Sequence, residues 1–223
     1  DQRVSATGLS FRPDNQGLHA VEVVIVILAH ALDSGFAGGY VGVDVFFVLS
    51  GYLKTGLLLD ERIETGAIQY GHFLARSLRR LLPALLARLV VVLIVSAIVL
   101  THFEMRQISR SVPFAAACIS NFFFAFAERD YFLALHDHDL FLHTWSLGVE
   151  EQFYLDRPWL VLLFAGFKAG AADRLSRRRL VLAAIAIVRV ASLILSINLS
   201  ANLPRLAFYM MPSRAWQFAL GSA

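Results

Sequence analysis

A run of twenty almost entirely apolar residues decides the fold, and from Leu81 to Leu100 it reads LLPALLARLVVVLIVSAIVL. A helix of about 20 such residues crosses the hydrocarbon core of a membrane, which is roughly 30 Å thick. Arg88 is the one charged residue in the run. The stretch therefore predicts a membrane-spanning helix.

The rest of the chain shares this apolar character. Of its 223 residues, 57% are hydrophobic and 17% are charged, whereas a soluble domain is about 45–50% apolar. Five further spans and the first turns of another are predicted at Leu18–Phe36, Tyr40–Leu59, Val112–Ala127, Trp145–Phe167, Leu180–Leu199 and Ala215–Ala223. We predict an all-α, polytopic transmembrane helical bundle of about six to seven spans, with the last one truncated by the chain end.

Basic residues indicate the orientation of the spans, because cytoplasmic loops are enriched in Lys and Arg. Clusters precede the first span, separate the second from the third, and separate the fifth from the sixth; they comprise Arg3, Arg12, Arg62, Arg76, Arg79, Arg80, Arg174 and Arg177–Arg179. All three clusters can be cytoplasmic if Val112–Ala127, which contains Pro113, is re-entrant or half-spanning. We therefore predict a cytoplasmic N-terminus. We attribute the net charge of +3 to basic residues that set the topology and contact lipid headgroups, and not to nucleic-acid binding.

Titratable residues occur within the first two predicted spans. His19 and His30 are eleven residues apart, which places them on one helix stripe. A histidine facing a bundle interior can act as a general base, and the alternative is a hydrogen-bonded packing residue. In the second span, Asp44 could orient an imidazole or a substrate hydroxyl, while Ser50-Gly51 permits close helix packing.

Three arginines, Arg76, Arg79 and Arg80, lie within about one helical turn just before the Leu81 run. Guanidinium groups bind phosphate well. The functional interpretation is a site for a phosphorylated donor such as a coenzyme A thioester. The alternative is ordinary anchoring at the cytoplasmic surface.

The phrase from His143 to Tyr154 reads HTWSLGVEEQFY and opens the fifth predicted span with His143, Trp145, Ser146 and the adjacent acids Glu150 and Glu151. A charge inside the bilayer costs about 2.5–3.5 kcal/mol on insertion scales, so it usually marks a functional site. The aromatic rings of Trp145 and Tyr154 could stack on sugar or anchor at the interface. The preceding His136–Asp139 stretch is predicted to be a solvated loop and not a metal site.

Five phrases occur in order along the chain: Arg12–Leu18 with His30-Ala31, Gly42–Leu53, Arg76–Pro83, His143–Tyr154 and Ser213–Trp216. Together they resemble the membrane acyltransferase-3 family of bacterial integral-membrane O-acyltransferases. The resemblance implies a multi-pass protein of the bacterial inner membrane. It also implies transfer of an acyl group, often acetyl, from acyl-coenzyme A to a hydroxyl of a cell-surface carbohydrate such as lipopolysaccharide, peptidoglycan or exopolysaccharide.

The same resemblance implies roles for individual residues. His30 would be the base or acyl relay, Arg76 and Arg79 with Arg80 would bind the donor, and Glu150 with Asp44 would act on the acceptor. The supporting residues would be His19, His143, Trp145, Ser146 and Glu151. The partners would be membrane lipid, acyl-coenzyme A as donor substrate and a carbohydrate acceptor, with no bound cofactor and no metal.

The chain departs from the family pattern at several positions. His19 stands where the family has arginine, and charged residues replace usually apolar or aromatic ones at Glu22, Lys54, Asp156 and Arg157. The family also has more spans than this chain, so residues 1–223 are expected to form a single domain that is incomplete at its C-terminus. The alternative to an enzyme is a catalytically inactive or truncated homologue that binds or transports glycan, or a bundle whose polar residues are only structural.

Overall fold

The computed structural model describes residues 40–65, 70–126, 139–165 and 171–222, together with Gly17, Ala20, Val21, Val24 and Ile25. His19, Glu22 and His30 lie outside the described residues. The described helices are α1 (Tyr40–Thr65), α2 (Tyr70–Val99), α3 (His102–Ile108), α4 (Val112–Ala116), α5 (Ser120–Phe126), α6 (Thr144–Ala165), α7 (Ala171–Asn202), α8 (Pro204–Tyr209) and α9 (Met211–Gly221). This part of the chain contains no strand, which confirms the all-α prediction for it.

Three of the described helices are long and apolar enough to cross a membrane, at Val41–Leu58, Gly71–Val99 and Ala183–Asn202. They coincide with the predicted spans at Tyr40–Leu59, Leu81–Leu100 and Leu180–Leu199. Most of their surface is left uncovered by protein, since only 17% of the second and 6% of the third is buried. This exposure is what lipid-facing helices require. The count of six to seven spans stays a prediction.

Helix α2 begins eleven residues before the predicted Leu81–Leu100 span. Arg76, Arg79 and Arg80 therefore lie within the helix, in agreement with their predicted place within about one helical turn just before the Leu81 run. The reason is that Leu, Ala and Arg are all good helix formers. The helix therefore continues through the arginine cluster. The apolar composition of the Leu81–Leu100 run did not indicate that the helix would begin at Tyr70.

The Val112–Ala127 segment does not form one spanning helix. It folds as α4 and α5, which have five and seven residues and extend only about 7.5 and 10.5 Å. The turn between them contains Cys118 in a left-handed backbone conformation, with φ of 55°. The break agrees with the prediction that this segment does not cross the membrane as a single full-length helix; its re-entrant path stays a prediction.

The described helices divide into two compact units. One unit contains α1, the part of α7 up to Ile194, and α9 from Arg214 onward. The other contains α2 to α5, the part of α6 up to Arg157, and residues 195–213 with α8. Each unit has its own buried core.

In the first unit, α1 and α9 approach each other at two glycines. A Cβ atom on Gly51 would collide with the carbonyl oxygen of Phe218, and one on Gly221 would collide with the carbonyl oxygen of Val48. Beside this contact the rings of Phe47 and Phe218 stack with centroids 4.6 Å apart, and both side chains are fully buried. The packing role predicted for Gly51 is confirmed.

In the second unit, apolar side chains of α2 pack against the short helices and the chain before α6. The buried cluster consists of Leu85, Leu89, Ala115, Cys118 and Phe141. The cluster fixes α4 and the start of α6 against α2.

An amide pair joins α5 to α6 in the second unit. The Gln152 amide donates to Asn121 Oδ1 at 2.8 Å, and the Asn121 amide donates to Gln152 Oε1 at 3.3 Å. Asn121 also donates to the carbonyl oxygen of Tyr209 at 3.2 Å. The contact needs a glycine at position 148, since a Cβ there would lie 2.7 Å from Asn121 Oδ1.

We expect Gly51→Ala to destabilise the protein by about 1–3 kcal/mol or more, because the added methyl must displace the backbone of α9. Thermal unfolding of the detergent-solubilised protein, followed by circular dichroism, measures the effect as a lower Tm. The matched control is Gly71→Ala, because a Cβ at Gly71 has no atom within 4 Å. Equal Tm values for the two variants would contradict the close helix contact.

Candidate functional site

The phrase from His143 to Tyr154 opens helix α6 and carries five of the eleven predicted site residues. Glu150 and Glu151 are both 7% exposed. A carboxylate in such a position is stable only when hydrogen-bond donors compensate for the lost water. The Tyr154 hydroxyl donates to Glu150 Oε1 from one helical turn further along. The helix thus supplies a donor to its own buried acid.

The other polar residues of this phrase bond locally or across to α2. Ser146 donates from Oγ to the carbonyl oxygen of His143 at 3.1 Å. Nδ1 of His143 lies 3.5 Å from Nη2 of Arg88, which is at the long end of hydrogen-bond range. A guanidinium can only donate, so Nδ1 is the acceptor and the ring proton lies on Nε2 when the two groups bond.

Trp145 and Tyr154 pack inside the protein. Trp145 is 5% exposed, and its ring centroid lies 4.7 Å from that of Phe208 and 5.5 Å from that of Tyr209. Tyr154 is 3% exposed and meets the ring of Phe73 edge-on at 6.4 Å. In this structure both rings stabilise the bundle and neither lies open to a sugar.

The contacts between α2 and α6 occur in reverse sequence order, so the two helices run antiparallel. Phe73 meets Tyr154, and fifteen residues further along α2 Arg88 meets His143. Arg79 is six residues beyond Phe73, and Glu150 is four residues before Tyr154. At 1.5 Å per residue, Arg79 and Glu150 lie within about 3 Å of the same height along the helix axes.

The arginine cluster lies on the accessible side of α2. Arg76, Arg79 and Arg80 are all exposed. Spacings of three and four residues place neighbouring side chains on one side of the helix. The cluster can therefore present several guanidinium groups to one multiply charged anion, at the height of the buried acids of α6.

Asp44, on α1 in the other unit, belongs to a polar cluster with α9. Its Oδ1 atom accepts hydrogen bonds from Arg214 Nη1 at 2.6 Å and from Gln217 Nε2 at 2.8 Å. Arg214 and Gln217 are three residues apart, so they share one face of α9. Arg214 is 13% exposed and the Asp44 side chain 37% exposed.

Arg214 and Gln217 were not among the predicted site residues. Ser213–Trp216 stood out in the sequence without an assigned role. A signal existed, because two long polar side chains three residues apart on a short, mostly apolar helix indicate a partner on a facing helix.

Asp139, the last residue of the His136–Asp139 stretch, differs from the predicted solvated loop. Asp139 is 8% exposed and accepts hydrogen bonds from the Phe141 amide at 2.8 Å and from Ser111 Oγ at 3.1 Å. The prediction was wrong for Asp139, because a carboxylate that caps a buried turn can leave solvent. Residues 136–138 lie outside the described part of the chain.

Comparison with known proteins is consistent with these features. The chain is 38% identical over 164 residues to the peptidoglycan O-acetyltransferase OatA of Listeria monocytogenes, covering 73% of this chain and 26% of that protein. It is 39% identical over 154 residues to the O-acetyltransferase OatA of Staphylococcus aureus, covering 69% of this chain and 25% of that protein. The chain thus matches about a quarter of the length of each relative. No solved structure matches it.

An acyltransferase domain model matches residues 13–222, which is nearly the whole chain. The match covers the Gly42–Leu53, Arg76–Pro83, His143–Tyr154 and Ser213–Trp216 phrases and confirms the resemblance that they carry. This chain belongs to the acyltransferase-3 family.

Proposed function

We propose that this chain acts in a membrane O-acyltransferase that moves an acetyl group from acetyl-coenzyme A to a hydroxyl of a cell-wall carbohydrate. The relative from Listeria monocytogenes is named for peptidoglycan O-acetylation, so peptidoglycan is the acceptor that we expect. We place the chain in the bacterial inner membrane as a multi-pass protein with a cytoplasmic N-terminus and membrane lipid around its apolar helices.

The observation that carries the proposal is the buried acid on α6 at the height of the arginines on α2. Glu150 is removed from solvent and accepts a hydrogen bond from Tyr154. A carboxylate on an apolar helix is costly, which favours a functional role. We assign Glu150 to orienting and polarising the acceptor hydroxyl, with Tyr154 as the residue that positions it.

We assign the binding of the acyl donor, acetyl-coenzyme A, to the exposed arginines of α2. Acetyl-coenzyme A carries several phosphates, and guanidinium groups bind phosphate through charge-assisted hydrogen bonds. Arg76, Arg79 and Arg80 would hold these phosphates at the cytoplasmic side. Coenzyme A is here a substrate that enters and leaves, not a resident cofactor.

His30 is proposed as the general base on the strength of the sequence alone. It would take the proton from the acceptor hydroxyl as that oxygen attacks the thioester carbonyl, and the carbon–sulfur bond would break to release the coenzyme A thiolate. An imidazole suits this step because its pKa ordinarily lies near the pH of the cell. In a variant of the same proposal, acetyl-coenzyme A first acetylates the His30 imidazole, which then passes the acetyl group to the acceptor hydroxyl.

We expect membranes containing this chain to transfer radiolabel from acetyl-coenzyme A to peptidoglycan, and His30→Ala to lower that rate by at least about 100-fold, the usual contribution of a general base. A third sample, His19→Arg, restores the arginine of the family pattern and is expected to be at least as active as the wild type. Scintillation counting of purified glycan measures all three rates.

Three results would contradict this proposal. Equal radiolabel on the glycan in the wild type and in His30→Ala would show that His30 takes no part in the reaction. Absence of label from every sample, with correctly inserted protein, would favour the glycan-binding or transport alternative. Label that appears only in His19→Arg would identify a disabled acyltransferase whose scaffold is intact.

Tyr154→Phe tests the assignment of Glu150. The variant keeps the ring packed against Phe73 but removes the hydroxyl that donates to Glu150. We expect kcat/KM for the glycan acceptor to fall about tenfold, the usual cost of one hydrogen bond to a charged group. The KM for acetyl-coenzyme A should change by less than about twofold, since the arginines are untouched.

The control is Tyr52→Phe, which removes a hydroxyl from an exposed tyrosine of α1. Both variants are assayed at equal amounts of inserted protein. If Tyr154→Phe transfers acetyl as fast as Tyr52→Phe does, then the hydrogen bond to Glu150 has no part in the reaction.

A further inference from the structure

The cluster around Asp44 leaves two hydrogen-bond acceptors unused. Both donors, Arg214 Nη1 and Gln217 Nε2, bond to Asp44 Oδ1. No described residue donates to Asp44 Oδ2. Oε1 of Gln217 is buried and has no donor among the described residues either.

The orientation of the Gln217 amide is fixed by its neighbour. Turning the amide over would place its oxygen against Asp44 Oδ1 at 2.8 Å. Both atoms would then be acceptors, and the contact would be repulsive. Gln217 therefore presents Nε2 to Asp44 and leaves Oε1 pointing away from it.

A buried acceptor without a donor is rare in folded proteins and is commonly explained by a missing ligand or water. Gln217 is only 2% exposed, so bulk water does not satisfy Oε1 in this structure. The neighbouring Asp44 side chain is 37% exposed. A ligand would reach the pair from the Asp44 side, with Gln217 forming the inner end of the site.

The two free acceptors lie close together. The Gln217 amide and the Asp44 carboxylate are joined by a 2.8 Å hydrogen bond, and standard bond lengths place Oε1 and Oδ2 no more than about 7 Å apart. One sugar ring can span this separation and donate a hydroxyl proton to each atom.

We propose that Gln217 Oε1 and Asp44 Oδ2 form a binding subsite for two hydroxyl groups of the acceptor carbohydrate. The identity of the ligand rests on the proposed function, while the subsite itself rests on the geometry of Asp44, Arg214 and Gln217. Gln217 is thereby assigned as a residue that determines acceptor affinity.

The chemistry of the subsite distinguishes an acceptor from a donor ligand. Its free atoms are both oxygens that accept hydrogen bonds, and the charge of Arg214 is engaged by Asp44. Such a pair binds hydroxyl groups and repels phosphate. The site therefore suits the sugar and not coenzyme A.

Direct binding tests the subsite with a soluble tetramer of N-acetylglucosamine as the probe. The full chain is held in lipid nanodiscs, and Kd is measured by isothermal titration calorimetry. Gln217→Met keeps the side-chain length but removes the amide. Asp44→Asn keeps an oxygen for Arg214 and Gln217 while replacing the free acceptor with an amide donor.

We expect each substitution to weaken tetramer binding about tenfold, as the loss of one hydrogen bond in a buried site does. The matched control is Gln107→Met on α3, which makes the same change in the other unit and should keep Kd within about twofold of the wild type. If one variant fails to fold, as judged by its elution on size exclusion, the other still tests the subsite.

The outcomes separate this inference from the proposed function. If Gln217→Met and Asp44→Asn bind the tetramer as tightly as the wild type does, the subsite is wrong even where acetyl transfer is observed. If both weaken binding while no sample transfers acetyl, the subsite stands and the proposed function falls. A wild type that does not bind the tetramer overturns the subsite outright.

Discussion

A polar group buried on an apolar helix is costly unless it is hydrogen-bonded, because neither lipid nor a packed core replaces the water that it has lost. This constraint organises both units. In one, Asp44 accepts from Arg214 and Gln217. In the other, Asn121 and Gln152 bond reciprocally. Each of these contacts joins residues from different helices. The close packing of glycines and aromatic rings around the contacts follows from this pairing.

Close helix packing and polar pairing depend on each other here. Gly51 and Gly221 allow α1 and α9 to come close enough for Asp44 to reach α9, and Gly148 does the same for Asn121 and α6. A larger residue at any of these positions would separate the helices. The polar atoms would then lose their partners as well as their packing, so stability and function are expected to fail together.

Hydropathy and charge predicted much of this fold. The apolar runs indicated α1, α2 and α7 as candidate spans, and the polar residues in the broken Val112–Ala127 segment indicated that it would not cross as one helix. The start of α2 was not predicted, because arginine is compatible with both a loop and a helix. Burial of Asp139 was missed for a similar reason, since the hydrogen bonds that permit it come partly from Ser111, far away in sequence.

The sequence predicted which residues belong to the candidate site, but not which residues form hydrogen bonds with each other there. Glu150 and Asp44 stood out because charge is rare in apolar segments, whereas periodicity could not show which residues pair with Asp44. Arg214 lies 170 residues from Asp44 in sequence, and only the packed helices bring them together. Tyr154 was within reach of a sequence argument, since it follows Glu150 by one helical turn.

The central proposal is that acetyl-coenzyme A bound at the cytoplasmic side acetylates a cell-wall carbohydrate, and the cell wall lies on the outer side of the membrane. The measurement that tests it most directly uses sealed, inverted membrane vesicles with glycan fragments enclosed and radiolabelled acetyl-coenzyme A added outside. The account predicts label on the enclosed glycan without detergent, and no label when acetyl-coenzyme A is replaced by labelled acetate. Label on the glycan only after detergent opens the vesicles would contradict it.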